Sequence, residues 1–417
     1  MMSWKDLVPP AGPIRTLCVS HFSKTAANGV LMAIAVLYFT RSVHISAGQV
    51  GVALSVGSAV GLLAAIPAGR LADTRDPRNL TVVLLCLLGL FVCGYPLVGD
   101  FVGLLIVSAL VLTVETATDA TVNALIAGLL PPDERVRASS YMRAVANFSV
   151  VIGAGAGAVG LAVDTQGMYL GLLITAGVLF AIAGLAYLKV PKVPPVPHVA
   201  GAPIWPVLRD GPYAVVSLLN TVLIMNSGLL IVALPIWISA HTTAPAWLFP
   251  LMVIVNAVSV VFLQVRVSRG SEDVPGGAKA LRRAGLALAA CCLLFAVTGW
   301  LPTWLAVVVL LAGALVHVTG EMLHAAGAWA LGFGLAPEHA QGQYQGLFAL
   351  SSQLGQMVTP ALAAVLLTGL GAAGWLVFAV LFAVTGAAAP AVARWAARSR
   401  TVSPAAESGT LAASPIQ

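Results

Sequence analysis

Twelve apolar runs, each long enough to cross a bilayer, follow one another along this chain and constrain its fold more than any other feature. A helix spans hydrocarbon with about 20 apolar residues. The runs lie near 17–40, 47–68, 79–98, 101–130, 138–163 and 168–188, then 213–239, 247–267, 283–300, 303–335, 342–367 and 371–394. Only 9% of the 417 residues are charged, against about 25% in a soluble domain. Such a chain cannot cover a water-facing surface, and it is too apolar to stay disordered. The expected fold is an all-α membrane protein with twelve transmembrane helices in two six-helix bundles.

Punctuation divides the chain. Residues 1–188 hold the first six runs and 213–397 the second six, while 189–212, KVPKVPPVPHVAGAPIWPVLRDGP, repeats proline and reads as a linker. Residues 398–417, rich in Ser, Ala and Pro, are expected to form a disordered tail. The halves echo each other: at an offset of 205, LLPPDERVRAS from Leu129 aligns with GLAPEHAQGQY from Gly334. A six-plus-six duplication is the economical reading. With both termini cytoplasmic, 19 of the 21 basic residues fall in inside segments, leaving Arg41 outside and Lys24 within a run. That asymmetry sets the expected orientation in a plasma membrane. The basic residues are scattered without interleaved aromatics, so nucleic acid is not an expected partner. The five cysteines lie in or beside apolar runs with no C-x-x-C pair, and neither disulfides, metal nor cofactor is expected.

The informative residues are those that hydrocarbon should exclude. Lys24, Glu115, Asp119 and Glu321 lie inside runs, and each would cost about 2.5–3.5 kcal/mol at a lipid-facing midplane. Their spacing puts them in stripes: His21, Lys24 and Asn28 on the first run, Glu115, Asp119 and Asn123 on the fourth, His317, Glu321 and His324 on the tenth. Counting rises from the run ends, Lys24 lies about 13 Å and Asp119 about 17 Å from one face, with Glu115 one turn deeper. Lys24 and Asp119 can therefore pair, which leaves Glu115 as the carboxyl expected to hold a proton. Pairing that only ties helices together stays open as the alternative. Arg143 and Asn147, sharing a face near the cytoplasmic end of the fifth run, read as snorkelling toward the interface, with gating or a headgroup contact as the alternatives. Gln353 and Gln356 read as packing, and Trp205, Trp237, Trp247, Trp300, Trp304 and Trp375 as interfacial anchors.

The loop Gly69-Arg70-Leu71-Ala72-Asp73-Thr74-Arg75-Asp76-Pro77-Arg78 resembles the G-x-L-A-D-R-x-G-R-R loop of the major facilitator superfamily, departing at Thr74, Asp76 and Pro77. Within that superfamily the chain is most similar to bacterial twelve-span drug:proton antiporters. The fifth run keeps Gly153, Gly155, Gly157 and Gly160 where those antiporters carry a glycine-rich motif, but lacks its proline, and the fourth run lacks their arginine. The segments Gly320-Glu321-Met322, Ala336-Pro337-Glu338 and Gly342-Gln343-Tyr344-Gln345-Gly346 look like the second half of many bacterial exporters. The resemblance implies the major facilitator fold, with spans one, four, seven and ten around a central cavity. That adds Asn220 and Asn226 of span seven to His21, Asn28, Asn123, His317 and His324 as cavity residues, though amide packing between helices is open for the asparagines. It implies a latch at Gly69, Asp73 and Arg78, where glycine permits close approach while acid and base hold neighbouring helix ends in one state.

The expected function is secondary active transport, with Glu115, Asp119, Lys24 and Glu321 coupling protons to export of a small amphipathic or drug-like molecule by a monomer. Proton-coupled uptake of a nutrient would use the same acids, and a non-transporting membrane sensor or scaffold would need none of them. No nucleophile–base constellation points to an enzyme; His317 and His324 flanking Glu321 come nearest to a metal set.

Overall fold

The computed structural model describes residues 8–195 and 204–401, and among them every regular element is helical. Eleven helices are long and apolar enough to cross a membrane. They are Pro13–Ser42, Pro77–Leu97, Phe101–Leu129, Pro132–Val163, Gln166–Tyr187, Gly211–His241, Leu248–Val267, Val274–Trp300, Thr303–Gly334, Glu338–Leu370 and Ala372–Arg400. A further pair, Ala47–Leu62 and Ala65–Thr74, passes the same test together across a 41° bend. Counting the bent pair as one, the chain has twelve spans, numbered one to twelve in chain order below. Their starts follow local chemistry. Pro opens spans one, three and five, where a missing N–H costs nothing, and Asp76, Asp100, Asp210 and Asp273 accept from the free amides of spans three, four, seven and nine.

The last span runs on as helix through Thr401, so the segment from Arg398 to that point is ordered, contrary to the expected tail. The rest of that tail, 402–417, and residues 196–203 of the linker lie outside the described residues.

Two hydrophobic clusters organise the molecule. One joins residues of spans one to six around Leu17, Phe180 and Tyr187; the other joins spans seven to twelve around Trp237, Phe295, Trp375, Phe378 and Phe382. Trp237 and Trp375 are therefore core residues rather than interfacial anchors, whereas Trp247, Trp300 and Trp304 are exposed. Within the first half, span five lays Gly153 directly on Gly29 of span one, with no room for a methyl group between them. That is the packing expected of small residues between membrane helices.

The halves meet at the end of the bundle where span one begins and span twelve finishes, called here the termini end. Spans two and four pack on span eleven, and span five packs on spans eight and ten. Each core also takes a buried side chain from the other half, Phe333 in the first cluster and Val136 in the second, with Val265 and Trp329 packed on the first and Ile66 on the second. At the far end the ion pair Arg41–Asp164 (2.5 Å) stays within the first half. Asp164 also accepts from the Tyr169 hydroxyl at 2.6 Å, and this bond, with the Arg41 guanidinium, holds its carboxyl below the usual carboxylate range.

Candidate functional site

Two adjoining cavities lie between the halves. The first, about 350 Å³, is walled by His21, Asp119, Asn123 and Arg143 on one side and Trp329, Phe348 and Ser352 on the other. The second, about 590 Å³, is walled by Asn28, Met32, Leu54, Glu115 and Met357, and the two share Thr116, Asp119, Gln353 and Gln356. Together they form one amphipathic chamber with carboxylates on one wall and amides facing them. A chamber of this size suits a small organic molecule.

On the carboxylate wall, Lys24 of span one donates to Asp119 Oδ1 of span four. The lysine side chain is 6% exposed and the aspartate 40%, so the cation sits behind the wall and the anion faces the chamber. One turn away, Glu115 Oε1 accepts from Asn28 Nδ2 at 2.8 Å. The first-half stripes thus converge: His21, Asn28, Glu115, Asp119 and Asn123 all border the chamber.

The second-half stripe does not. Asn220, Asn226, His317 and His324, expected as cavity residues, are 0–4% exposed and line neither of these two cavities. They form a buried polar column instead. His317 Nε2 donates to the Asn226 carbonyl (2.9 Å), Asn226 Nδ2 meets His324 Nδ1 (3.3 Å), and His324 Nε2 donates to Asn220 Oδ1 (3.1 Å). Asn220 Nδ2 then donates to Ser351 and to Ser352, and Ser352 borders the chamber. The column stands beside an irregular stretch of span seven, whose α-helix breaks at Met225, resumes over Asn226–Gly228 and passes into a π turn at Leu229–Ala233. Such turns mark sites where regular packing gives way. A lone apolar helix pattern carries no signal for one.

Arg143 does not snorkel. It crosses the seam and donates to Glu321 Oε1 of span ten, while Asn256 Nδ2 of span eight donates to Oε2 at 2.7 Å. Sequence reasoning placed Arg143 near the membrane surface because its depth was counted from a run start of 138, whereas the helix begins at Pro132. It missed Gln353 and Gln356 for a different reason: an amide pattern alone does not say which face of a helix meets a cavity. Asn256 gave no sign in the sequence beyond one polar residue in an apolar run.

The residues expected to form a latch fall in two places. Asp73, 7% exposed, accepts the backbone N–H groups of Gly342 (2.6 Å) and Gln343 (3.0 Å), capping span eleven from the other half. Gly69 lies so close to Gly342 that any Cβ would overlap its carbonyl oxygen. Arg78 takes no part. It donates to the Val190 carbonyl at the start of the linker (3.2 Å) and stands 3.8 Å from Asp76, where span three begins, so neither contact reaches the second half.

Solved structures share this architecture. The human organic anion transporter MFSD10 (TETRAN) is similar over 90% of this chain and 98% of its own, with 15% identity and a TM-score of 0.68. A bacterial homologue of the iron transporter ferroportin in the outward-facing state covers 93% of this chain and 100% of its own, at 15% identity and 0.68. The Major Facilitator Superfamily transporter FucP in the outward conformation covers 93% and 99%, at 16% identity and 0.68. At such identities the likeness speaks for the fold alone. A comparison with curated protein sequences finds no match. The sequence profile of the Major Facilitator Superfamily matches residues 17–360, and with twelve spans in two packed halves around a central chamber, this multi-pass membrane protein belongs to that superfamily.

Proposed function

We propose that this chain is a monomeric secondary transporter that exports a small amphipathic or drug-like molecule in exchange for protons. The two halves, 1–188 and 213–397, rock about the chamber while the linker joins them. The observation that carries the reading is the carboxylate wall. Glu115 and Asp119 border the same cavity one turn apart, and only Asp119 has a cation bonded to it. Neighbouring carboxylates resist double ionisation in a low-dielectric site, so Glu115 is the group that takes a proton when no substrate is bound. A substrate that hydrogen-bonds or pairs with the ionised carboxylate displaces that proton, which links the two fluxes. Apolar side chains of Met32, Leu54, Leu112, Met357 and Pro360 supply the rest of the contact. Drug resistance is the expected cellular consequence.

The protein belongs in the plasma membrane with both termini in the cytoplasm. Of the 19 basic residues assigned inside, Arg143 lies on the chamber wall, and the remaining 18 still outweigh Arg41. In that orientation the sealed termini end faces the cytoplasm and the chamber opens outside, toward exposed Met32 and Met357. The test is efflux from proteoliposomes under an imposed pH gradient, with the lipophilic cation ethidium, neutral drugs and small peptides as separate arms. Acceleration of any one by an inward proton gradient, lost in Glu115→Gln, supports the reading. Flux of every arm that ignores the gradient overturns proton coupling.

A further inference from the structure

The carboxylate wall lies wholly in the first half and leaves a second ionic cluster without a role. Arg143 of span five and Glu321 of span ten belong to different halves, and their pair spans the seam. The two side chains are 24% and 12% exposed, and Arg143 borders the chamber. The groups facing Glu321 come from three elements. Span five brings Arg143; span eight brings Asn256, whose Nδ2 donates to Oε2; its own helix brings His317, with Nδ1 at 3.9 Å, and His324 one turn further along. Asn256 and His317 are in the same half as Glu321. Arg143 is the single partner that must leave when the halves part at the termini end.

We propose that Arg143 and Glu321 form a proton-operated clasp that keeps the termini end shut, released when Glu321 is protonated from the open chamber. The argument is one of charge. With Glu321 ionised, opening strands a carboxylate in a nearly water-free site and a guanidinium whose Nε already lacks a partner. Removing one member of such a pair is strongly unfavourable. With Glu321 neutral, the carboxyl keeps its bonds to Asn256 and its contact with His317, and Arg143 moves into the chamber, where water reaches it. The proton comes from chamber water and is given back to water on the other side before the pair can re-form. The direction rests on the proposed exchange: an external proton permits the return step, and closure over substrate requires that it has gone. Glu115 then senses substrate while Glu321 senses the state of the seam.

The test measures the seam directly. Spin labels at Thr74 of span two and His339 at the start of span eleven, both exposed, report the separation of the halves in a cysteine-depleted background that retains transport. The full-length protein should be closed at pH 8 and shift toward the longer distance at pH 5.5. Glu321→Gln should favour the longer distance by about tenfold at neutral pH and lose the pH response. Arg143→Gln should do the same, which covers the case that the first variant does not fold, and the exchanged pair Arg143→Glu with Glu321→Arg should close again. A pH response that survives in Glu321→Gln or in Arg143→Gln overturns the clasp. Glu115→Gln should keep the pH-dependent distance change while losing proton-driven flux. Failure of proton coupling at Glu115 and failure of the clasp are thus seen in different measurements.

Discussion

Removing Lys24 and removing Asp119 should not cost the same, although they are partners. Asp119→Asn leaves the Lys24 ammonium 95% buried with no carboxylate bonded to it. Breaking a buried pair from one side costs about 3–5 kcal/mol. A ceiling applies, because shedding the proton of a reference ammonium at pH 7 costs about 4.6 kcal/mol, and the lysine can escape by that route. Lys24→Ala leaves Asp119, whose side chain is 40% exposed to a chamber wide enough for water. Solvent screening cuts that penalty to about 1–2 kcal/mol. The double variant Lys24→Ala with Asp119→Asn strands nothing and should recover most of the loss. Melting in detergent, followed by the monodisperse fraction on size exclusion, ranks the four proteins: wild type, then the double variant, then Lys24→Ala, then Asp119→Asn. Equal losses for the two single changes, or a double variant that loses their sum, would refute a coupled pair with its cation behind the wall.

Asp73→Asn replaces one of two acceptor oxygens with a donor facing the Gln343 amide, so turnover should fall about tenfold while substrate affinity stays within a few fold. Normal turnover with a large affinity loss would contradict a role in switching. Gly69→Ala places a methyl on the Gly342 carbonyl and should leave the seam unable to close, read as labelling of a cysteine at Ser139 on the chamber floor from the termini side. Arg78→Ala, whose contacts lie in the first half and at the start of the linker, should alter neither measure. At the far end, the depressed Asp164 carboxyl contributes stability above the ordinary carboxylate value of about 3.9 and loses it as pH falls through the lower folded value. Tyr169→Phe should therefore move the acid limb of a melting-versus-pH profile and leave the profile from pH 5 to 8 unchanged.

The spans were legible because their signal is redundant. An apolar run survives an error of several residues, and Pro or Asp at the starts of spans one, three, four, five, seven and nine marks the end independently. The pairing of Lys24 with Asp119 was legible for a related reason, since helical rise converts sequence distance into depth. Sideways placement was not. Rise along the axis says nothing about which face of span ten meets which neighbour, so His317 and His324 were assigned to the cavity although they point into their own half. Arg143 shows the same gap from the other side: its partner Glu321 is 178 residues away, in the other half. The interruption of span seven depends on the buried column beside it, and a tertiary cause of that kind leaves no local trace.

The chemistry of the seam differs from that of either core, and the difference bears on function. Each half is held by large side chains such as Phe180 or Trp375, which do not separate without a hydrophobic penalty. Where spans two and eleven cross the seam, the contacts are glycine backbone at Gly69, Gly342 and Gly346, which bury little apolar area. The polar contacts across the seam among the described residues are two amides on Asp73, between spans two and eleven, and one ion pair, Arg143–Glu321, between spans five and ten, beside the apolar side chains of Phe333 and Val136. Bonds of this sort are exchanged for bonds to water when the halves part, and the two amides on the Asp73 carboxylate, being charge-assisted, contribute about 1.5–3 kcal/mol each. The charged pair is the exception, since its carboxylate stays in a dry site after opening. Alternating states must differ by only a few kcal/mol if both are to be visited. Close glycine packing keeps the apolar part of that difference small, and the Arg143–Glu321 pair, whose carboxylate stays dry after opening, is a contact that a proton can switch off.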